Sequence, residues 1–291
     1  MEDMEQILRQ QVDCSVQALA PIKRSLAKLT PADVLTIGKD KVEQINGFIN
    51  RTMKGLLNEK IDGLTAVTTQ MGKVMEGLDP SDFEAKPADS PSFMQRVLGK
   101  KPTPPINVLR KYEGLGAQLQ QGFIAMTEYK RAIVQNNEEL QRLFDENTAY
   151  YSFLLQHEQA LAERGLELAR QLDYAKDDFE RGTLEAMREL LDSRRQDFMM
   201  ARAVSTQLAV QLYMLSENND KLLARLDNGL IYTVPIFKQL IAQALQYERA
   251  RLANRALGSL PEWQQEVMAT KQDVQQSLAD ITALAERNSS K

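Results

Sequence analysis

Polar side chains of the types that bind oxyanions recur along one stretch of this sequence. They are Arg195, Gln207, Gln211, Asn218, Asn219, Arg225, Lys238 and Gln239. Guanidinium, ammonium and amide groups are the donors that proteins use to hold phosphate-like anions. Four of these donors lie close to one face of a helix: Gln207, Gln211, Asn218 and Arg225. A turn near Gly229 would fold Lys238 back towards them, so one hypothesis is an anion-binding site.

The same stretch has the spacing of a surface for helix packing. Residues at alternating intervals of three and four are Phe198, Ala201, Ser205, Leu208, Leu212, Leu215, Asn219, Leu222 and Leu226. This seam predicts a helix that packs against another helix. Asn219 stands where a packing surface normally has an aliphatic side chain, and buried amides can fix the register of two helices. The amides therefore have a second interpretation, as part of a helix–helix contact.

Residues for catalysis or metal binding are scarce in the sequence. It contains one histidine, His157, and one cysteine, Cys14, so no thiolate cluster or imidazole pair is available for a metal. We interpret His157 as a surface residue. The sequence lacks a glycine-rich phosphate loop, a Gly-x-Ser-x-Gly motif and a His-Glu-x-x-His motif. We therefore expect no catalytic residue, no metal and no cofactor, and a protein that is not an enzyme.

Charge and hydropathy limit the partners. The formal net charge is −4, from 36 basic and 40 acidic side chains, which gives no global attraction for nucleic acid. The N-terminus is acidic and lacks the basic and apolar parts of a signal peptide. No apolar run approaches the roughly 18 residues that span a bilayer. We expect a soluble, cytoplasmic protein that does not bind nucleic acid.

The elements that must position these side chains are predicted to be helices. The commonest residues are strong helix formers, including Leu, Ala, Gln and Glu, and no segment alternates as a strand would. Thr30 followed by Pro31 predicts a helix start. From there apolar residues keep a period near 3.5 as far as Leu78, so residues 1–79 are predicted to form a long helical rod.

The rest of the sequence is predicted to be a linker and a helical bundle. Residues 80–105 contain six of the ten prolines and form the linker. Residues 106–287 are predicted to form an elongated, antiparallel, coiled-coil-like bundle of about five helices. Its first seam, Leu109 to Leu154, has polar breaks at Lys130, Asn137 and Asn147. A turn is expected between Asp173 and Gly182, and a capping box at Ser259–Glu262 predicts the start of the last helix.

Several elements between Arg194 and Gln239 resemble the signature of the toxic anion resistance (TelA) family. They are Arg194-Arg195-Gln196-Asp197-Phe198, Gln207, the Asn218-Asn219 pair before Leu222-Leu223, and Thr233-Val234-Pro235-Ile236-Phe237-Lys238-Gln239. Upstream, Leu109 to Tyr151 is similar to the family's first hairpin, so the resemblance covers roughly 92–287. Two features depart from the family pattern. Leu208-Ala209 stands where a proline is common, which predicts a straighter helix, and Phe237 replaces the usual tryptophan.

The resemblance implies an all-helical, cytoplasmic bacterial protein associated with resistance to tellurite and similar oxyanions, but it supplies no mechanism. The leading hypothesis is a non-enzymatic stress-resistance protein that acts through helix-mediated contacts, as a homo-oligomer or with a protein partner. One alternative is direct oxyanion binding by the donors listed above, with Pro235 in a structural role at a helix start or kink. Another is a peripheral membrane scaffold that uses the amphipathic segment 93–101 and the basic run 249–255.

Overall fold

The computed structural model of the protein describes residues 2–43, 45, 47, 62–83, 108–252 and 260–289. These ranges are almost entirely helical and contain no strand, which confirms the predicted all-α class. The α-helices are α1 (Glu2–Gln10), α2 (Val16–Leu26), α3 (Pro31–Val34), α4 (Asp62–Glu76), α5 (Val108–Leu172), α6 (Asp178–Asn228), α7 (Val234–Leu252) and α8 (Leu260–Ser289). A 3₁₀ turn covers Pro80–Phe83, and a π-helical turn covers Gly229–Thr233 between α6 and α7. No helix in these ranges combines the length and apolar character needed to cross a bilayer.

The chain forms two compact units. The first contains Met1–Leu56 and Asn136–Glu217, and the second contains Leu57–Gln135 and Asn218–Lys291. The long helices α5 and α6 therefore contribute residues to both units. The predicted division into rod, linker and bundle stays a prediction, because most of the linker lies outside the described residues.

The first unit is built on an antiparallel pairing of α5 and α6. Glu158 of α5 contacts Arg202 of α6, and the earlier α5 residue Asn147 contacts the later α6 residue Ser205. The apolar core along this pair includes Leu154, Leu161, Leu191 and Phe198, joined by Leu26 and Val34 from the N-terminal helices. Each fully buried side chain of this size contributes about 1.5–3 kcal/mol through removal from water.

The second unit has a larger apolar core. Its buried residues come from α4 to α8 and include Met71, Leu119, Met126, Leu222, Leu226, Phe237, Val267 and Ile281. The Thr68 hydroxyl of α4 lies 2.7 Å from the Thr282 hydroxyl of α8, which pairs two hydroxyls that would otherwise lose water. The last helix contributes an apolar face to this core, since Trp263, Val267, Val274 and Ile281 are buried.

The seam predicted on α6 is confirmed. Its residues are buried except Ala201 and Leu215, which are half-buried. The turn predicted after α5 is also present, between Leu172 and Asp178. The capping box at Ser259–Glu262 includes positions outside the described side chains and stays a prediction.

The continuous helix predicted from Thr30 to Leu78 is wrong near its start. Thr30 does cap α3, since its hydroxyl accepts from the Asp33 amide and the Asp33 carboxylate accepts from the Thr30 amide. However, α3 ends at Val34, and turns lead to Gly38, whose φ is +72°. This left-handed conformation is accessible to glycine at little cost and ends a regular helix. Helical structure resumes at Lys39.

The reversing turn that the anion-binding hypothesis required near Gly229 is absent. The chain passes from α6 through the π-helical turn into α7 without reversing, and the Val234 amide donates to the Gly229 carbonyl five residues earlier. Pro235 explains the wide turn. Its nitrogen has no hydrogen to donate, and in a regular helix its ring would clash with the carbonyl four residues before it.

Candidate functional site

Arg194, in the first signature element, joins α6 to the N-terminal segment. Its Nε donates to the Ile37 carbonyl at 3.0 Å, and its Nη2 donates to the same oxygen. Its Nη1 bonds Asp197 at 3.0 Å, and the guanidinium lies 5.0 Å from the centre of the Phe198 ring. The arginine therefore holds the backbone immediately before Gly38. In the described structure Arg194 and Asp197 serve packing rather than ligand binding.

His157 lies in the same region, and its prediction as a surface residue is wrong. Its ring centre lies 3.9 Å from that of Phe153 and 6.0 Å from that of Phe198. Nδ1 lies 2.8 Å from the Phe153 carbonyl oxygen. Burial between these groups disfavours the charged imidazolium and lowers the pKa of His157. This histidine is therefore half-buried against the aromatic side chains of the first unit.

Two buried polar contacts connect α5 and α6. The Asn147 amide donates to the Ser205 carbonyl at 2.9 Å, and the Ser205 hydroxyl donates to the Asn147 side-chain oxygen at 2.8 Å. Because both residues are almost fully buried, this pair fixes one register of the two helices. Asn147 was predicted as a polar break in its seam, but its partner was not.

The second contact centres on Arg202, which the sequence did not single out. Its Nε donates to Glu158 at 3.0 Å, and its Nη1 bonds both Glu5 and Tyr151. The Arg202 side chain is only 16% exposed and that of Glu158 is 14% exposed. The ion pair thus ties α1, α5 and α6 together. The only signal in the sequence is an arginine within a run of uncharged residues.

Three of the predicted anion donors belong to the first unit and do not converge. Gln207 and Gln211 are exposed on α6, one helical turn apart. Arg195 lies 12 residues before Gln207, which is about 18 Å along a helix. The Arg195 Nε is buried without a hydrogen-bond partner.

The other predicted donors belong to the second unit, where the cations have separate partners. Arg225 pairs with Asp280 at 3.3 Å, and the Lys238 ammonium lies 4.6 Å from the centre of the Phe123 ring. Since no turn reverses the chain between them, these two residues are roughly 20 Å apart along the helical path. Asn219 is buried, Asn218 is half-buried and Gln239 is exposed. No group of acidic, histidine or cysteine side chains among the described residues is arranged to hold a metal ion.

The last signature element, Thr233 to Gln239, serves the packing of the second unit. The Thr233 hydroxyl donates to Ser277 at 3.4 Å, and Phe237 is buried in the core. At Gly229, just before this element, a Cβ atom would lie 3.0 Å from the Met126 methyl carbon. Pro235 lies two residues after the end of the π-helical turn, in the first turn of α7.

The outward face of α6 in the first unit has a property that the sequence analysis missed. Five exposed residues follow one another at intervals of four and three: Met200, Val204, Gln207, Gln211 and Met214. We call these five residues the outer stripe. Met200 and Val204 are each 63% exposed and Met214 is 45% exposed. The only charged residue between Asp197 and Glu217 is Arg202, which points into the core. The solvent-facing side of α6 is therefore uncharged for about five turns.

These observations describe an all-helical protein. Several of its signature residues hold helices together, and the outer stripe of α6 carries no charge. The chain belongs to the toxic anion resistance (TelA) family, because the model of that family matches residues 21–289. The match includes most of the N-terminal segment, which the sequence resemblance covered only loosely.

Individual relatives are distant. The chain is 25% identical over 277 residues to the uncharacterised protein YceH of Bacillus subtilis, covering 88% of this chain and 72% of YceH. It is 20% identical over 243 residues to a TelA-like protein of Staphylococcus aureus, covering 80% of this chain and 64% of that protein. A similar match to YaaN of Bacillus subtilis covers 76% of this chain and 59% of YaaN. No solved structure matches the chain.

Proposed function

We propose that the protein contributes to resistance against toxic oxyanions such as tellurite without catalysing a reaction, through contacts between its helices and other protein chains. Membership of the toxic anion resistance family supports the physiological role. The observation that carries the mode of action is the outer stripe of α6. Its two methionines and its valine are exposed on a stretch of α6 whose only charged residue, Arg202, points into the core.

The outer stripe is suited to protein contact for energetic reasons. Solvent-facing helix positions normally carry charged or polar side chains. Complete burial of one methionine or valine yields about 1.5–3 kcal/mol, which stays unrealised while the side chain faces water. Methionine also adapts its shape to a partner at low cost. A second helix laid along this face would bury three such side chains and would leave no charge unpaired.

Direct oxyanion binding is the second candidate. It is supported by the buried, unpartnered Nε of Arg195. However, an anion site needs several convergent donors, and Arg225 and Lys238 are already engaged by Asp280 and by the Phe123 ring. We therefore rank anion binding below protein contact.

The membrane scaffold has less support. Residues 93–101 lie outside the described residues, as does Arg255, so the amphipathic segment that motivated this hypothesis contributes no geometry. Within the basic run, Arg249 lies 3.8 Å from Glu113. That contact accounts for one of its cations within the second unit.

Growth under tellurite distinguishes the two leading candidates. A bacterial strain that lacks its own gene of this family is complemented with the wild type, with Met200→Lys/Met214→Lys or with Arg225→Gln/Lys238→Gln. Protein contact predicts that the first double variant loses resistance and that the second retains it. Calorimetric titration of the purified wild type with tellurite, selenite and phosphate is expected to give no binding heat at millimolar anion. Anion binding would be favoured if Arg225→Gln/Lys238→Gln loses resistance while Met200→Lys/Met214→Lys retains it, and if the titration gives binding heat.

A further inference from the structure

We infer that the outer stripe of α6 binds the outer stripe of a second copy of this chain, with the two helices antiparallel and the two-fold axis near residue 209. This inference rests on the proposed function and specifies its partner. It starts from the spacing of the stripe. Intervals of four and three over these five residues are the pattern of a coiled-coil seam, and in the first unit this seam faces solvent.

The register follows from matching layers. In heptad notation, Val204 and Gln211 occupy a positions, whereas Met200, Gln207 and Met214 occupy d positions. Antiparallel helices place an a residue of one chain beside a d residue of the other. With the axis at residue 209, Val204 lies beside Met214 of the second copy, and Gln207 lies beside Gln211. These two layers pair apolar with apolar and amide with amide, and each occurs twice by symmetry. Met200 lies beside position 218 of the second copy, at the edge of the contact.

The amide layers give the pairing specificity. Each glutamine carries two donors and an acceptor oxygen, so Gln207 and Gln211 of opposite chains satisfy one another when water is removed. An apolar partner helix would instead bury both amides without hydrogen bonds, at a cost of about 1–3 kcal/mol for each unsatisfied group. The two central glutamines therefore favour a partner with amides at the same spacing. The same chain provides them.

Charge selects the antiparallel orientation. Asp197 occupies the a position one heptad before Val204. Parallel chains would place Asp197 directly against Asp197 of the second copy, and like charges in one layer repel. In the antiparallel register these two carboxylates are about 36 Å apart along the helix axis. The flank of the stripe formed by Ala203 and Val210 is uncharged and compact, which allows a second helix to approach.

The size of the surface sets the expected strength. A stripe of five side chains on one helix buries less than the roughly 800 Å² per partner of a standard interface. We therefore expect dimerisation with a dissociation constant of about 10 μM. The measurements below accordingly use the full chain at about 100 μM, well above such a dissociation constant.

Disulfide trapping tests the register directly. The background is Cys14→Ser, and the probes are Val204→Cys and Met214→Cys, each in the full chain. In the antiparallel register Val204 is about 15 Å along the axis from Val204 of the second copy, beyond the roughly 7 Å between Cα atoms that a disulfide permits. An oxidised mixture of the two variants is therefore expected to give the mixed 204–214 disulfide at least tenfold faster than either variant alone gives its symmetric disulfide. Met268→Cys, at a 66% exposed position of α8, is the matched collision control.

Each result has a defined meaning. Fast self-linking of Val204→Cys would overturn the antiparallel register in favour of a parallel one. Mixed cross-linking no faster than with Met268→Cys would overturn self-association through this face. If cross-linking fails but Met200→Lys/Met214→Lys still abolishes tellurite resistance, a different protein covers the face, so the proposed function stands without this inference. If cross-linking fails and that variant keeps full resistance, the proposed function fails as well.

Discussion

The strongest test of the fold concerns Gly38, where the N-terminal segment turns against α6. We consider Gly38→Ala, the smallest change that adds a Cβ atom. At φ +72° an L-residue pays roughly 1–2 kcal/mol relative to the right-handed conformation. The new Cβ would also lie 2.9 Å from the Phe153 ring and 3.2 Å from the Phe198 ring. Overpacking of this kind costs about 1–3 kcal/mol.

The two contributions have separate origins, and their sum is a loss of about 2–5 kcal/mol in the free energy of unfolding of the first unit. Relaxation of the rings is restricted. Phe153 also packs against His157, and Phe198 packs beneath the Arg194 guanidinium. A shift of Phe198 would therefore disturb the arginine that holds the Ile37 carbonyl, and a shift of Phe153 would disturb its contact with His157. The strain cannot be removed locally at no cost.

Hydrogen exchange resolves this loss by region, and urea unfolding followed by circular dichroism gives its overall size. Peptides covering residues 26–43 and 194–202 are expected to lose protection in Gly38→Ala. The matched control is Gly72→Ala on α4, where a Cβ would meet nothing within 4 Å. Alanine there is expected to be neutral or to stabilise by up to about 1 kcal/mol. Equal stability of the two variants would refute both the left-handed turn and its contact with the rings.

Three further predictions concern the polar contacts of the first unit. Asn147→Ala is expected to lower the free energy of unfolding by about 1–3 kcal/mol, because the buried Ser205 hydroxyl loses its partner. In urea unfolding, the double variant with Ser205→Ala should lose less stability than the sum of the two single variants. Arg202→Leu is expected to lower the free energy of unfolding by about 3 kcal/mol, because Glu158 loses its cation. The double variant Arg202→Leu/Glu158→Leu should recover stability. A loss below about 1 kcal/mol in the single variant, as for an exposed ion pair, would contradict the burial of this pair. Because the pKa of His157 is lowered in the folded state, the unfolded state binds more protons on acidification, and stability falls as the pH drops below about 6.5. His157→Gln should reduce that pH dependence, and an unchanged slope would show that other groups produce it.

The inner face of α6 was predictable from sequence because helix packing depends on a local period. Phe198, Leu212 and Leu226 belong to a series with alternating intervals of three and four, which a helix but not a strand brings to one side, and all three are buried. The outer stripe has the same period but was missed. Two of its five members are glutamines, so hydropathy alone did not separate it from an ordinary solvated face.

The unexpected turn at Gly38 and the missing reversal at Gly229 have one physical cause. Gly38 and Gly229 look alike in sequence, as single glycines within helical pattern. At Gly38 the rings of Phe153 and Phe198, more than a hundred residues away, accommodate a left-handed turn. At Gly229 contact with Met126 and the amide missing from Pro235 produce a π-helical turn that preserves the direction of the chain. Contacts distant in sequence decide which outcome a glycine gives, and local propensity does not encode them.

The candidate site shows a similar limit. The donor types between Arg195 and Gln239 were correctly listed, and whether they bind an anion stays a prediction. The sequence could not show that Arg225 faces Asp280 or that Lys238 faces Phe123, because these partners lie on other helices. Residue types indicate what a side chain can bind, whereas the fold determines what already occupies it.

The two faces of α6 constrain one another in the first unit. Its inner face must hold Ser205 against Asn147 and Arg202 against Glu158, and these contacts allow a single register with α5. Since α6 is a rigid helix, that register also determines which residues face outward. Slippage by one residue would carry Met200, Gln207 and Met214 through about 100° and would break the stripe. The buried polar contacts therefore specify the outer surface as well as the core. A substitution of Asn147 should consequently weaken self-association, even though this residue is only 1% exposed.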